Sequence, residues 1–208
     1  MIYLNIQQQS EAWFEARAGR ITGTRFKALC AGESTQTYKD LVTNIVCEII
    51  TGKCEETYSN ADMEHGVETE PDARATYGFL FDCHVQEIGF IMPDEDHKYH
   101  DWIGISPDGI VTPGMIEIKC PRMKTHLEYI EANRLPAEYR HQVQGQLYVT
   151  GFPWCDFISY VEGMKPFVIR VYPDLDLHAE FERRLDKLII DVKNKLEIYK
   201  KYDYEQAD

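Results

Sequence analysis

A predicted β-hairpin at residues 109–120 constrains the fold of this chain more than any other segment. Its turn signal, Thr112-Pro113-Gly114, separates two short runs rich in β-forming residues. If the turn centres near Pro113, counting back along both strands places Asp108 opposite Glu117. Directly opposed side chains in a hairpin have Cβ atoms about 4.5–5.5 Å apart, so the two carboxylates can share one cation.

Glu117 and Lys119 project from the second strand of this hairpin, which is otherwise apolar. Strand alternation places both on one face, with Ile116 and Ile118 on the other face toward a core. A Glu-x-Lys pair is often found on a solvated edge strand. An apolar strand, however, is expected to be buried on at least one face, where unpaired charges are costly. A cation bound between the two acids would remove this cost. The two acids and the lysine therefore favour a metal-dependent phosphodiesterase site over a solvated edge.

Length and composition indicate one folded domain spanning residues 1–208. The hydrophobic fraction is 44% and the aromatic fraction 12%, as in globular proteins. No stretch reaches the roughly 18 apolar residues of a membrane span, and the first residues carry no basic secretion signal. The six cysteines form no C-x-x-C pair, so free thiols are expected. We therefore predict a cytoplasmic enzyme.

The net charge of −13 argues against a nucleic-acid partner only if the charge is evenly spread. It is not, because residues 17–30 contain four cations and no acid. This pattern fits either ordinary surface variation or a basic groove on an otherwise acidic protein. The cations are Arg17, Arg20, Arg25 and Lys27.

Helix caps and apolar spacing predict an alternation of helices and strands. Two short helices are predicted first, one capped by Ser10 and one capped by Thr22 or Thr24. Four longer helices are predicted over residues 38–51, 61–79, 137–149 and 175–202. Pro71 is expected to kink or restart the second of these four. The predicted strands cover 85–91, 102–106, 109–112, 115–120, 154–161 and 167–172. This order predicts an α/β fold in which a central mixed sheet carries helices on both faces.

Five ordered motifs resemble those of the bacteriophage lambda exonuclease, or YqaJ-like viral recombinase, family within the PD-(D/E)XK nuclease superfamily. They are Arg17-Ala18-Gly19-Arg20-Ile21-Thr22-Gly23-Thr24, Gly66-Val67-Glu68-Thr69-Glu70-Pro71-Asp72-Ala73-Arg74, Ser106-Pro107-Asp108-Gly109, Glu117-Ile118-Lys119-Cys120-Pro121 and Gln142-Val143-Gln144. The resemblance implies a restriction-endonuclease-like core. It also implies a phage or bacterial exonuclease that degrades the 5′-ended strand of duplex DNA, forms a homotrimeric ring and works with a single-strand annealing protein.

For the chemistry, we assign Asp108, Glu117 and the carbonyl of Ile118 as ligands of two Mg²⁺ ions, with Mn²⁺ as a substitute. Lys119 either orients the attacking water or deprotonates it. Deprotonation requires nearby cations to lower its pKa from the reference value of about 10.4.

The remaining site assignments follow the resemblance more closely. Glu70 is expected to bind a metal-held water, to form an i,i+4 ion pair with Arg74, or both. Gln144 is expected to hold the nucleophile or Lys119. Arg17 and Thr24 are expected to bind a phosphate. The weaker candidates for contacts with the DNA backbone are Arg20, Arg25, Lys27, Arg122 and Lys124.

Two other functions remain open at this point. A PD-(D/E)XK endonuclease would use the same metal site, and would differ by cutting a closed circle. An inactive DNA-binding recombination protein is less consistent with an intact set of Asp108, Glu117 and Lys119.

Overall fold

The computed structural model describes residues 1–54 and 61–202, with side chains from residue 65 onward in the second range. Within these residues the α-helices are α1 Glu11–Arg17, α2 Phe26–Leu29, α3 Gln36–Thr51, α4 Ala61–Leu80, α5 Met123–Ala132, α6 Arg140–Thr150 and α7 Leu175–Lys200. The β-strands are β1 Ile2–Leu4, β2 Phe90–Met92, β3 Gly109–Val111, β4 Gly114–Lys119, β5 Cys155–Ser159 and β6 Phe167–Val171. Short 3₁₀ helices at Gly23–Arg25 and Ala137–Tyr139 lead into α2 and α6.

In the described part of the chain, β3, β4, β5 and β6 form a mixed sheet in that order. The β3–β4 pair is an antiparallel hairpin with Gly109 opposite Ile116, so the same register places Asp108 opposite Glu117. β5 lies parallel to β4, and β6 pairs antiparallel with β5. The predicted hairpin and its register are confirmed.

Helices cover both faces of this sheet. Ile116 and Ile118 of β4 pack with Ala73 and Tyr77 of α4 on one face. On the other face, Met115 and residues of β5 join the larger core built by α2, α3, α6 and α7. The prediction of an α/β fold with a central mixed sheet between helical layers is confirmed.

Local sequence signals explain several helix ends. Ser10, Thr35 and Asp174 each accept a backbone N–H in the first turn of α1, α3 and α7 through their side chains. Gly151 ends α6 in the left-handed conformation that favours glycine. The helix does not restart at Pro71, one of the two outcomes expected there, since α4 continues through this residue.

Two predicted strands are wrong and two elements were missed. Residues 102–106 make only isolated bridges, at Ile103 and Ile105, and residues 85–91 contribute only their end to β2. No sequence signal indicates the three-residue β1. None indicates α5 either, because its apolar residues Met123 and Leu127 are exposed and its N-cap side chain makes no capping bond. No helix within the described residues is both long and apolar enough to cross a membrane.

Gly145 of α6 lies directly against the ring of fully buried Phe26, and a Cβ there would be 2.2 Å from Phe26 Cδ2. Alanine normally favours a helix over glycine by about 1 kcal/mol. Here we expect the steric cost of a Cβ against Phe26 to exceed this gain in helix stability. Gly145→Ala should therefore lower the free energy of unfolding by about 1–3 kcal/mol. Urea denaturation measures the change. Equal or higher stability would mean that Phe26 repacks without cost.

Candidate active site

The β3–β4 hairpin brings two carboxylates and a lysine together at the end of the sheet. Asp108 precedes β3 and accepts the backbone N–H of Ile118 through Oδ2 at 2.6 Å. Glu117, which is 1% exposed, and Lys119 lie on the opposite face of β4 from the isoleucines. The alternation predicted from the sequence therefore fixes which side chains meet.

Among the described residues, three donors surround the buried Glu117 carboxylate. Lys119 Nζ and Gln142 Nε2 both donate to Oε1. Gln146 Nε2 donates to Oε2 at 2.6 Å. A carboxylate offers about four lone-pair positions, so one acceptor position on Oε2 remains beyond these three bonds. Gln142 and Gln146 are one helical turn apart on α6, which is why both reach the same carboxylate.

The placement of Gln144 at this cluster is wrong. Its Nε2 donates to the Tyr172 carbonyl at 2.8 Å, and its Oε1 accepts the backbone N–H of Asp174 at 2.8 Å. Oε1 also lies 3.0 Å from His178 Nε2. Because Gln144 is two residues from Gln142 and Gln146, it points to another side of α6 and ties that helix to the start of α7.

Arg74 connects Glu70 of α4 to the same cluster. Arg74 pairs with Glu70, donates from Nε to the Asp108 carbonyl at 2.8 Å and lies 3.2 Å from Glu87. The predicted i,i+4 ion pair is present. Arg74 also attaches α4 to Asp108, the residue before β3, and so positions Glu70 beside Asp108.

The crowded acids perturb one another. Burial, with Glu117 nearby, raises the pKa of Asp108 well above its ordinary value. Burial also raises the pKa of Glu70, against the opposing charge of Arg74. Burial alone would lower the pKa of Lys119, but Glu117 and Asp108 outweigh it and raise that pKa. In the protein by itself Lys119 is therefore an ammonium group, a state suited to orienting water and stabilising negative charge.

This donor set fits a metal that accepts few protein ligands. Among the described residues, no three His, Cys, Asp or Glu side chains form a complete metal site. The cluster instead offers the Asp108 carboxylate, the free acceptor position of Glu117 and a backbone oxygen. The N–H and the C=O of a strand residue point to the same side of the strand. Because the Ile118 N–H bonds Asp108, the Ile118 carbonyl also points toward Asp108. Mg²⁺ keeps several waters and accepts such a sparse oxygen set.

Arg17 bonds Ser106, two residues before Asp108, and has no carboxylate hydrogen-bonded to it among the described residues. Its guanidinium lies 4.0 Å from the centre of the Trp13 ring, and bonds the hydroxyls of Ser106 at 3.3 Å and Thr22 at 3.4 Å. Burial lowers the pKa of Arg17 to about 10, which still leaves it charged at neutral pH. A held, charged guanidinium without an acid partner is available to a phosphate.

Of four other residues predicted to contact phosphate, two are exposed and two are bonded within the protein. Thr24 and Lys27 are exposed, and Thr24 lies in the 3₁₀ helix whose Gly23 packs against Gln142 and Gln146. Arg20 is held at Asp101, donating to its carbonyl at 3.2 Å. The expectation for Arg25 is not supported, because both of its terminal nitrogens bond the Glu48 carboxylate.

The Arg25–Glu48 pair gives a pH-dependent stability. Burial raises the pKa of Glu48, but Arg25 and the Gly19 N–H outweigh it and hold that pKa below its ordinary value. A lowered folded-state pKa stabilises the protein above the unfolded value of about 4.3, and this stabilisation is lost as pH falls through the folded value. We expect Glu48→Gln to be less stable than wild type at pH 7, with the gap narrowing at acid pH.

Urea denaturation of both proteins at neutral pH and at roughly pH 3.5 measures that gap. Glu180→Gln, which removes a partly exposed pair with Arg184, is the control and is expected to change stability little at either pH. A gap of constant size would contradict the assignment to Glu48.

Comparisons with known proteins agree with this geometry. The family model described as the YqaJ-like viral recombinase domain matches residues 12–153. An alkaline exonuclease from Laribacter hongkongensis (LHK-Exo) is 34% identical, superposes with a TM-score of 0.80, and is matched over 92% of this chain and 96% of its own. Its complex with dAMP gives a TM-score of 0.81 at the same identity and coverage.

Two more distant matches add less. A phage-related exonuclease from Haemophilus somnus has a TM-score of 0.64 at 14% identity, over 86% of this chain and 96% of that one, which supports the fold alone. An uncharacterised protein of Acanthamoeba polyphaga mimivirus is 29% identical over 170 residues. That match covers 74% of this chain but 29% of the viral protein, so this chain corresponds to less than a third of that relative.

Proposed function

Because the chain belongs to the YqaJ-like viral recombinase family, we propose that it is a Mg²⁺-dependent exonuclease acting on linear double-stranded DNA. It degrades the 5′-ended strand in the 5′ to 3′ direction and leaves a 3′ single-stranded tail for recombination by strand annealing. Exonuclease activity in general is supported by the family and by the 34% identity with the alkaline exonuclease over nearly its whole length.

The observation that carries the proposal is the convergence of Asp108, Glu117 and Lys119 on the β3–β4 hairpin. Asp108 and Glu117 would hold the metal ions together with the Ile118 carbonyl. Bound there, divalent cations would supply charge stabilisation at the scissile phosphate and acidify a water, and Mn²⁺ is expected to substitute for Mg²⁺. Glu70, fixed by Arg74, would orient a water on the α4 side.

The chain's own residues then perform the remaining tasks. Lys119, charged and bonded to Glu117, orients the attacking water and stabilises the negative charge that develops on the phosphate. Gln142 and Gln146 hold the Glu117 carboxylate in one orientation. Arg17 and Thr24 bind an adjacent phosphate. Exposed Lys27 is available to the DNA backbone, and Arg20 would have to leave its bond to Asp101 to reach it.

The wider setting of the activity is also part of the proposal. We propose that residues 1–208 form a single nuclease domain, since both clusters of buried side chains use β4 and β5. The family resemblance further suggests a homotrimeric ring and a single-strand annealing partner. It also suggests that the protein, encoded by a bacterium or by a phage, acts in the bacterial cytoplasm.

End-labelled DNA tests the proposal. Linear duplexes labelled separately at each 5′ and 3′ end, and a covalently closed circle, are incubated with the protein and Mg²⁺, with a chelator added in the control. We expect loss of label from 5′ ends only, an intact circle and no reaction with the chelator. Loss from 3′ ends would reverse the polarity.

Other outcomes favour the alternatives. A nicked or linearised circle would indicate a PD-(D/E)XK endonuclease with the same site. Binding of DNA without metal-dependent cleavage of any substrate would indicate an inactive recombination protein, and would exclude the proposed enzyme.

A further inference from the structure

Strand β6 is an open edge of the central sheet within the described residues, where it pairs with β5 alone. Tyr160, directly after β5, donates its N–H to the Lys119 carbonyl at 2.9 Å. Backbone groups alternate in direction along a strand, so the odd-numbered residues of β5 direct theirs to β6. In the observed register they meet every second residue of β6, beginning with Phe167. The N–H and C=O groups of Val168 and Arg170 therefore point away from the sheet.

Gln144 of α6 occupies the next position along this edge. Its Nε2 donates to the Tyr172 carbonyl, and its Oε1 accepts the N–H of Asp174, both at 2.8 Å. The amide thus makes the pair of hydrogen bonds that a neighbouring strand would make there. No described residue bonds the outward groups of Val168 and Arg170 in the same way. Unpaired groups on a sheet edge are a template for the addition of an extended peptide.

A cleft of about 740 Å³ opens where this edge ends. Its apolar walls are the side chains of Tyr129, Leu135, Pro136 and Val171. Gln144 also lines it, so the cleft is continuous with the open edge of β6. Ligand pockets have volumes of about 300–1,000 Å³, so the cleft can hold a large apolar side chain of an added strand.

The wall of the cleft contributed by α5 is fixed in place. The Tyr129 ring lies edge-on to the ring of fully buried Phe157, with 6.3 Å between their centres. The Tyr129 hydroxyl donates to Glu138 at 2.6 Å, which ties α5 to the segment before α6. An incoming peptide would therefore meet a formed cleft.

The cleft carries two cations and one acid. Arg134 is exposed and bonds no other described residue. Arg140, whose side chain is 51% exposed, pairs with Asp174 at 2.5 Å. The acid in the lining is Glu128. In a chain with a net charge of −13, a cleft with an excess of cations favours an acidic partner over a basic one.

Duplex DNA is a poorer match for this cleft than an acidic peptide. A protein that binds DNA neutralises several phosphates with lysine and arginine side chains. Here Arg140 is already paired with Asp174, and Glu128 would repel a second phosphate. Arg134 can bind one carboxylate of a short segment without those costs.

We propose that the edge of β6 and this cleft form a docking site for an acidic, extended segment of another protein. The segment adds to the sheet beside Val168 and Arg170, places an apolar side chain in the cleft and sets a carboxylate against Arg134. This docking site uses β6 and residues 129–144, and the proposal does not depend on the nuclease activity.

The probe is a fluorescein-labelled octapeptide in which aspartate and valine alternate, and its binding to the full chain is followed by fluorescence anisotropy. The same peptide with lysine in place of aspartate should bind at least about tenfold more weakly. Two further forms carry N-methyl groups on either the odd or the even residues. One of them should bind at least about tenfold more weakly than the other, because only alternate N–H groups of an added strand face β6.

Arg134→Glu should weaken binding of the aspartate–valine peptide about tenfold or more. Arg183→Glu is the matched control, since Arg183 is an exposed arginine of α7 that bonds no described residue and does not line the cleft. It should change binding less than about twofold. Both side chains are exposed, so both variants should keep the melting temperature of wild type.

Four results would overturn the docking site. The first is no binding of the aspartate–valine peptide, or equal binding of its lysine form. The second is equal binding of the two N-methylated forms. The third is a loss of DNA affinity in Arg134→Glu with peptide binding unchanged, which would assign the cleft to DNA. The fourth is a lower mass of Arg134→Glu than of wild type in sedimentation, which would mean that a second copy of the chain covers the cleft.

Discussion

Replacement of Lys119 by methionine is expected to reduce the cleavage rate by about 10²–10⁴-fold, the range typical of a lost acid–base or proton-positioning group. Methionine keeps the length of the side chain but removes the ammonium group that bonds Glu117 and lies 5.2 Å from the centre of the Tyr139 ring. Single-turnover cleavage of end-labelled DNA at saturating protein measures the effect. Saturation ensures that weaker DNA binding does not hide the loss in the chemical step.

Lys119→Arg separates the two contributions of this residue. Arginine keeps the charge beside Glu117, so thermal stability should stay closer to wild type than in Lys119→Met. Its planar guanidinium cannot take the compact position of the ammonium, so the rate should remain low. Lys98→Met, which removes an exposed lysine paired with Asp186, should leave the rate unchanged. Near-normal cleavage by a folded Lys119→Met would contradict the role assigned to Lys119.

The hairpin could be predicted from sequence because all the required information is local. A turn signal and a period of two fix the register of β3 and β4, and therefore the meeting of Asp108 with Glu117. The helix-on-both-faces fold follows from the order of the elements in the same way. The short β1 could not be predicted, because its pairing with β2 joins residues about ninety positions apart.

The part of the site contributed by α6 was harder to predict. Gln142, Gln144 and Gln146 alternate along the sequence, and all three belong to one helix. Choosing among them requires the rotation of α6 relative to β4. The apolar residues of α6 indicate that rotation only weakly, because nearly the whole helix is buried on all sides. The i,i+4 spacing of Gln142 and Gln146 was the one signal available.

Arg25 shows a second limit. Its four-cation segment contains no acid, so the sequence left a basic groove as one of two interpretations, beside ordinary surface variation. The acid that pairs with Arg25 is Glu48, 23 residues later on α3. Charge segregation along a sequence therefore overstates charge segregation in space, because tertiary pairs form across elements. Arg17, which has no carboxylate bonded to it in the part of the chain that the structure describes, remains the better candidate for a phosphate.

Replacement of Gln146 by leucine is expected to reduce cleavage by about 10–100-fold, the usual cost of losing a group that orients a metal ligand. Gln146 is 1% exposed, and its amide is the donor to Oε2 of Glu117. Without it, the donors left among the described residues, Lys119 and Gln142, are both on Oε1, so the carboxylate can rotate. Because Gln146 acts through Glu117, the concentration of Mg²⁺ needed for half-maximal cleavage should rise, and high Mg²⁺ should restore part of the rate.

Gln144→Leu is the matched control, since Gln144 is also buried, lies on the same helix and is two residues away. It loses the bonds to Tyr172 and Asp174 that join α6 to the start of α7. It should therefore lower the free energy of unfolding while leaving the Mg²⁺ dependence of cleavage unchanged. If Gln144→Leu shifted the Mg²⁺ dependence and Gln146→Leu did not, the orientation of α6 against Glu117 described here would be wrong. A shift of stability alone in both variants would mean that Glu117 is held by Lys119 and Gln142 without help from Gln146.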